Sequence, residues 1–328
     1  MKKTLNFGII GTGRIAGQFV EEALENNKIN LAGVSARNYE KTVDFAERYN
    51  IDRAYSSVDE LLADEGIDAI YVASFHPTHF PYTMKALEAG KHVLCEKPAV
   101  LKAEDMERVV AKAREKKLLF TEAMTVGFNP VYQEIKREIE KGSIGEIVHV
   151  ESSYGSVSSK IHKHNPKQAG GALYDIGIYN IFLNTDLLGV PEEVFAVSRD
   201  NRWGVEGSVS CLSRHRGGAT SSFYATMDSI SGELAKIIGT QGIIEFQPSW
   251  TVAKGFTVKT KDGKIWEYTS SEDLWLGYEI EAFTSAVLSG VTESPVMTYE
   301  KSLNLHRTID EIKRRLGFTY EEVEVTLY

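Results

Sequence analysis

Through Glu122 the chain alternates short, nearly continuous apolar runs with stretches whose apolar residues recur every three or four positions. The runs Leu5–Ile10, Asn30–Ala36, Ala69–Ala73, His92–Cys95 and Leu118–Thr121 predict strands buried on both faces, as in a parallel sheet. The periodic stretches predict helices at Arg14–Glu25, Tyr39–Tyr49, Ser57–Ala63, His79–Ala89 and Ala103–Lys116. Asn38 stands where a helix N-cap belongs, and Gly90 where a helix stops. Strand–helix alternation of this kind requires right-handed crossovers and a doubly wound sheet.

The texture changes after Ala123. A helix over Val131–Lys141, a polar loop over Ser156–Gln168 and a helix opening at Gly170–Gly171 and running to Leu188 are expected. Alternation with period two then predicts strands at Glu193–Arg199, Val205–Arg214, Ala219–Asp228, Leu234–Gly239, Ile243–Phe246, Thr251–Thr260 and Lys264–Thr269. In the clearest of them Ser221, Phe223 and Ala225 share one face, and Thr220, Ser222, Tyr224 and Thr226 the other. Helices near Leu276–Leu288 and Tyr299–Arg315 follow. The fold class expected is therefore α/β. A Rossmann dinucleotide-binding domain over 1–122 precedes an α+β domain over 123–328, with an open, mostly antiparallel sheet, for substrate binding and oligomerisation.

Charge and cysteine content narrow the partners. A net charge of −9 argues against nucleic acid or an anionic membrane, since both are bound through basic surfaces. The glycine-broken start MKKTLNFGIIGTG reads as a first strand and not a secretory leader, and no apolar run is long enough to span a bilayer. Cys95 and Cys211 lack disulfide or metal spacing and read as buried hydrophobes in a cytoplasmic protein with no metal site.

Gly11-Thr12-Gly13-Arg14-Ile15-Ala16 falls where the first strand turns into the first helix. The first glycine permits the turn, the second admits a pyrophosphate, and a small third residue lets helix and strand pack closely. The helix N-terminus there offers free N–H groups to the anion. The second strand ends Ser35-Ala36-Arg37-Asn38 with no acid to hold a ribose 2′-hydroxyl, while Arg37, with Lys41 a turn later, suits a 2′-phosphate. NADP is thus expected over NAD.

Two further segments suggest chemistry. Glu96-Lys97-Pro98 follows a strand, at the sheet edge where ligands bind. Asp175 and Tyr179, four residues apart, share a helix face. Gly177 between them implies something flat against the backbone, either a nicotinamide or a close-packed element. Lys97 and Tyr179 can carry a proton path once their pKa values are lowered, and Asp175 can orient a lysine or bind a substrate hydroxyl. Read by pattern alone, all three are equally compatible with separate polar residues at element ends. His79 at a helix start reads as structural, and His162 and His164 among lysines as a surface loop.

These segments, with Ala89-Gly90-Lys91-His92-Val93 and Gly170-Gly171-Ala172-Leu173, resemble the family of glucose–fructose oxidoreductase, inositol dehydrogenase and MocA-type proteins over nearly the whole chain. The sequence is most similar to the branch of dimeric dihydrodiol dehydrogenases and NADP-dependent D-xylose 1-dehydrogenases, and Tyr179, where many relatives carry histidine, points to it. The resemblance implies acid–base roles for Lys97 and Tyr179, support from Asp175, and Arg37 on the 2′-phosphate. With it, Glu96 and Lys97 join the cofactor-binding residues, and His162 joins Asp175 and Tyr179 in contacting a sugar or polyol. It also implies a homodimer or higher homo-oligomer formed through the open sheet. The branch's Trp-Thr-Arg-like stretch is replaced here by Met124-Thr125-Val126-Gly127-Phe128-Asn129, a change expected to alter specificity. The alternatives are a catalytically silent NADP-binding regulator and an NAD-dependent glycosidase.

Overall fold

The computed structural model describes residues 3–157, 160–271, 274–317 and 327, so Ser158 and Ser159 of the expected polar loop, and the outermost ends of the two expected domains, lie outside the described residues. Six parallel strands build the first sheet: β1 (Leu5–Ile10), β2 (Ile29–Ser35), β3 (Ala54–Tyr55), β4 (Ala69–Val72), β5 (His92–Glu96) and β6 (Phe120–Ala123). Their order is β3-β2-β1-β4-β5-β6. The chain winds outward from β1 in one direction and from β4 in the other, and ligands in such sheets bind at the strand ends beside that reversal.

Helices α1 (Arg14–Ala23), α2 (Tyr39–Tyr49), α3 (Val58–Ala63), α4 (His76–Glu88) and α5 (Ala103–Lys116) supply the crossovers. In α1 the buried residues Ala16, Phe19, Val20 and Ala23 follow helical spacing and cover the sheet. Asn38 caps α2 by accepting from the Lys41 N–H at 2.9 Å, and Gly90, at φ +79°, lies just past α4. Helix α4 starts three residues before the position read from its apolar spacing, with Pro77 in its first turn. The two-residue β3 went unanticipated because period two cannot be read from so short a stretch.

The second part holds α6 (Thr125–Phe128), α7 (Pro130–Glu140), β7 (Ile147–Gly155), α8 (Ile178–Leu188), β8 (Pro191–Asp200), β9 (Glu206–His215), β10 (Thr220–Thr226), β11 (Ala235–Gly239), β12 (Gly242–Phe246), β13 (Gly255–Thr260) and β14 (Ile265–Thr269). Its eight strands run β14-β13-β12-β11-β7-β10-β9-β8 and pair antiparallel, except β10 with β7. Two expectations need correction. The strand expected from Thr251 begins at Gly255, because Trp250–Val252 forms a 3-10 turn whose Trp250 is buried and donates to Ser153 O at 3.0 Å. The single helix expected from Gly170 is replaced by a π-helical turn, Leu173–Gly177, leading into α8.

Contacts gather the chain into two units. One cut between residues 122 and 123 was expected. In the structure the first unit, which reaches Met124, also takes in Leu274–Ser302, and with it α9 (Gly277–Leu288). Phe283 of α9 packs 5.8 Å from Phe7 of β1. Residues 303–317, which hold most of α10 (Tyr299–Leu316), belong with the second unit.

Candidate functional site

The site residues read from the sequence fall into two sets, one on each unit. In the first unit Gly11 leaves β1 at φ +116°, and its N–H donates to Ser35 O at 2.9 Å. A Cβ there would lie 2.4 Å from the Ala73 carbonyl oxygen, so only glycine lets the chain turn this close to β4. Gly13 occupies the N-cap of α1, no side chain caps that helix, and its first turn carries no acid. The N-terminal N–H groups and their partial positive charge are thus left without a capping side chain, and a Cβ on Gly13 would meet nothing within 4 Å. Arg14 is exposed and donates to Gln18 Oε1 at 2.7 Å.

Arg37 follows β2, with its guanidinium 4.6 Å from the centre of the Phe75 ring. Phe75, the residue before α4, was missed by the sequence reading because nothing local marks it as a partner of β2. Lys41 is exposed on the first turn of α2. An uncapped, acid-free helix start with open space beside Gly13, and a cation where an acid could stand, fit a dinucleotide.

At the end of β5 Glu96 is buried and accepts from the Tyr71 hydroxyl at 2.6 Å. Burial pushes its carboxyl above the usual range, against the pull of that hydroxyl, Lys97 and Arg14. Glu279 of α9, also buried, is held well above the carboxylate range by burial and by the like charges of Glu96 and Glu22. The sequence reading passed over it because an acid on a helix is ordinarily exposed. Lys97 is half-buried and joined to Pro98 by a cis peptide. The loop beyond it is clamped twice. Ala99 N–H donates to Glu122 Oε1 at 2.9 Å, and the buried His79 places Nδ1 2.8 Å from Pro98 O and Nε2 3.0 Å from Ser74 O. His79 is structural, and burial lowers its pKa.

In the second unit Asp175 lies in the π-helical turn and Tyr179 one turn on, half-buried, its ring 5.8 Å from that of Tyr154. Gly177 packs on protein, since a Cβ there would stand 3.5 Å from Ala225 Cβ in β10. A partner of Asp175 within this unit is Lys163, whose Nζ lies 2.9 and 2.6 Å from its two carboxylate oxygens. The sequence reading did not single out Lys163. His162 is exposed, with its pKa lowered by desolvation and by Lys163 and Lys160. His164 departs from the expected surface loop: it is buried and stacked on Trp203, ring centres 4.2 Å apart.

The Met124–Asn129 segment is built into packing. Met124, Val126 and Phe128 are buried, and Asn129 caps α7 by accepting from Val131 N–H at 2.8 Å. Cys95 and Cys211 are buried thiols, the latter pushed up to about 11 by burial. Among the described residues no helix is long and apolar enough to cross a membrane, and no cluster of histidine, cysteine and acid could hold a metal ion.

Known proteins resemble the chain along both of its parts. The model of the oxidoreductase family with an NAD-binding Rossmann fold, Gfo/Idh/MocA, matches residues 5–124, and that of the Gfo/Idh/MocA C-terminal domain matches 132–245. Mouse trans-1,2-dihydrobenzene-1,2-diol dehydrogenase is 31% identical over 97% of this chain and 98% of its own. A 3-ketoreductase from Actinomadura kijaniata, solved with NADP and TDP-benzene, is 26% identical with a TM-score of 0.85, covering 95% of this chain and 98% of its own. A levoglucosan dehydrogenase solved with NADH and levoglucosan shares the fold at a TM-score of 0.86 and 21% identity, covering 96% of this chain and 97% of its own. With both parts of the chain matched by family models and a relative 31% identical over nearly its whole length, the chain is a member of the Gfo/Idh/MocA oxidoreductase family.

Proposed function

We propose that this chain is an NADP-dependent dehydrogenase or reductase that interconverts a CH–OH group and a carbonyl on a sugar, polyol or related diol. The observation that carries the reading is the uncapped, acid-free start of α1 behind Gly11, with Arg37 at the tip of β2 where an acid would select NAD. Bound NADP supplies the hydride donor or acceptor; the chain's own residues do the rest. The N–H groups from Gly13 onward hold the pyrophosphate, and Arg37, resting on Phe75, holds the 2′-phosphate. Lys97 and Tyr179 hold and move the proton that leaves or joins the substrate oxygen, and His79 and Glu122 fix the loop on which Lys97 stands. Asp175 binds a substrate hydroxyl, with His162 beside it.

The family relationship to a dihydrodiol dehydrogenase and the likeness to a 3-ketoreductase solved with NADP favour this reading. The same reading includes a homodimer. Phe195, Val197, Leu212, Tyr224 and Leu234 stand exposed around a groove of about 1100 Å³ on the open face of the eight-stranded sheet, an apolar surface of the kind that self-association buries. The test is reduction of NADP, followed by absorbance, across aldoses, polyols and trans-dihydrodiols, with NAD alongside. Turnover of one class with NADP is expected. Binding of NADP without turnover on any of them would favour a silent regulator.

A further inference from the structure

Glu279 stands in the first turn of α9, on the stripe by which that helix joins the core of the first unit. Leu276, Ile280 and Phe283 of the same stripe share one apolar cluster with Phe7, Phe19 and Tyr71. The carboxyl is wholly buried, and neither of its oxygens has a hydrogen-bond partner among the described residues. An apolar side chain would fill this place without the cost, because a buried polar group without a partner forfeits its hydration. Burial and the like charges of Glu96 and Glu22 raise its pKa, which favours the neutral acid.

A second acid stands on either side of it. Glu96 closes β5 at the turn that carries Lys97, accepts from the Tyr71 hydroxyl at 2.6 Å, and is drawn on by both the ammonium and the backbone N–H of Lys97. Tyr71 is itself held by its stack on Phe19 of α1, ring centres 3.8 Å apart. Glu22 of α1 is half-buried, and its Oε2 accepts from the Trp275 N–H at 3.1 Å and the Gly277 N–H at 2.6 Å. Those bonds fix it against the start of α9, two residues before Glu279. Tyr71, Glu96 and Glu22 are the titratable groups that face Glu279 among the described residues. Acids from β5, α9 and α1 therefore lead from the Lys97 turn, through the core, to a side chain that solvent reaches.

We infer that Glu279 is a proton-relay residue that links Glu96 to Glu22, the route by which the proton handled at Lys97 exchanges with solvent. This rests on the role proposed for Lys97. In the oxidative direction the Lys97 ammonium gives its proton to the Glu96 carboxylate. Glu96 passes it to one oxygen of Glu279, while the proton on the other oxygen moves to the Glu22 carboxylate and on to water. Only protons move, each leaving one nitrogen or oxygen for the next, and the reverse order serves reduction. Side-chain rotation or a bridging water closes each hop. A carboxyl tied to fixed partners at both oxygens could not serve in this way, which accounts for the unpartnered state of Glu279.

The experiment follows NADPH by absorbance and released protons by an indicator dye, in weak buffer, for wild type, Glu279→Gln and Glu279→Asp with NADP and the best substrate. Wild type should release its proton in step with NADPH. Glu279→Gln has the shape of the neutral acid but cannot pass a proton on. It should form NADPH at the wild-type rate in the first turnover, release its proton about 10-fold or more slowly, and lose kcat to that extent with KM unchanged. Glu279→Asp should recover part of the loss. In the cofactor-free protein at neutral pH, the infrared carbonyl stretch of a protonated carboxyl should be present in wild type and missing from Glu279→Gln. The unfolded chain ionises this acid at about pH 4.3 whereas the folded chain retains its proton, so the urea midpoint of Glu279→Gln should gain on that of wild type as pH rises above that value. Proton release in step with NADPH in Glu279→Gln, a slowed first turnover, or wild type without the infrared band overturns the inference. Should Glu279→Gln fail to fold, Glu279→Met is read in the same way. Lys97→Ala separates the two levels. If it keeps wild-type turnover, the role proposed for Lys97 is wrong and the relay falls with it; if it is crippled while Glu279→Gln releases its proton in step, only the inference about Glu279 falls.

Discussion

Replacing Arg37 with alanine should weaken NADPH binding by about 10- to 30-fold while leaving NADH binding within about a factor of two. A charge-assisted hydrogen bond contributes about 1.5–3 kcal/mol. Arg37 is exposed, so solvent and salt screen it and the lower half of that range applies, about 1.5–2 kcal/mol. Two features keep the value from falling further. The guanidinium already rests 4.6 Å over Phe75, so binding orders little that is free, and the tip of β2, Ser35-Ala36-Arg37-Asn38, carries no acid in sequence. Titration of the reduced cofactors by fluorescence in low and moderate salt measures both constants. Phe75→Leu keeps the bulk and removes the ring, and should cost NADPH a few-fold. If Arg37→Ala leaves the ratio of NADPH to NADH affinity where it was, the 2′-phosphate is held elsewhere and the reasoning from β2 is wrong.

Gly171→Ala should destabilise the second unit by about 3 kcal/mol, because alanine is strained at φ +131° and its Cβ would lie 2.3 Å from the buried Glu206 carboxylate; a fall in urea midpoint checks this. Leu212→Glu on the open sheet face should convert the proposed dimer to monomer in light scattering, and an unchanged mass would remove that face from the interface. His79 has its pKa lowered by burial, so the unfolded chain takes up a proton at about pH 6.5 that the folded chain refuses, and this share of stability is lost as pH falls below that value. Between pH 7.5 and about 5.5, His79→Gln should therefore show a smaller acid-side loss in denaturation midpoint than wild type. Glu96 and Glu279, whose raised pKa values act in the opposite sense, are present in both proteins and cancel; an identical loss would contradict the assignment.

The cofactor half was readable because its signals are local. Continuous apolar runs fix strands buried on both faces, and the Gly11–Ala16 turn needs only its own neighbours. What escaped depends on where distant segments meet. The apolar face of α9 declares a helix but not which core covers it, and here Phe283 packs on Phe7, 276 positions earlier in the sequence and in the same unit. Arg37 was recognisable as a cation, whereas its platform, Phe75, comes from another strand's loop. The segment after Gly170 read as one helix because apolar spacing continues through it, while the positive φ of Gly171 and the π-helical turn set the direction of Asp175. Lys163 was passed over for the same reason: as one lysine in a basic loop it carries no distinguishing pattern, and only the backbone contact between its carbonyl and Gly171 shows that it is directed at Asp175.

The measurement closest to the central claim is single-turnover reduction of NADP on the substrate that wild type handles best, comparing it with Lys97→Ala and Tyr179→Phe. The account predicts that each variant reduces NADP at least about 100-fold more slowly, a loss far larger than any weakening of its NADPH binding. Rates near wild type in both would show that neither residue moves the proton, and the catalytic assignment would have to be abandoned.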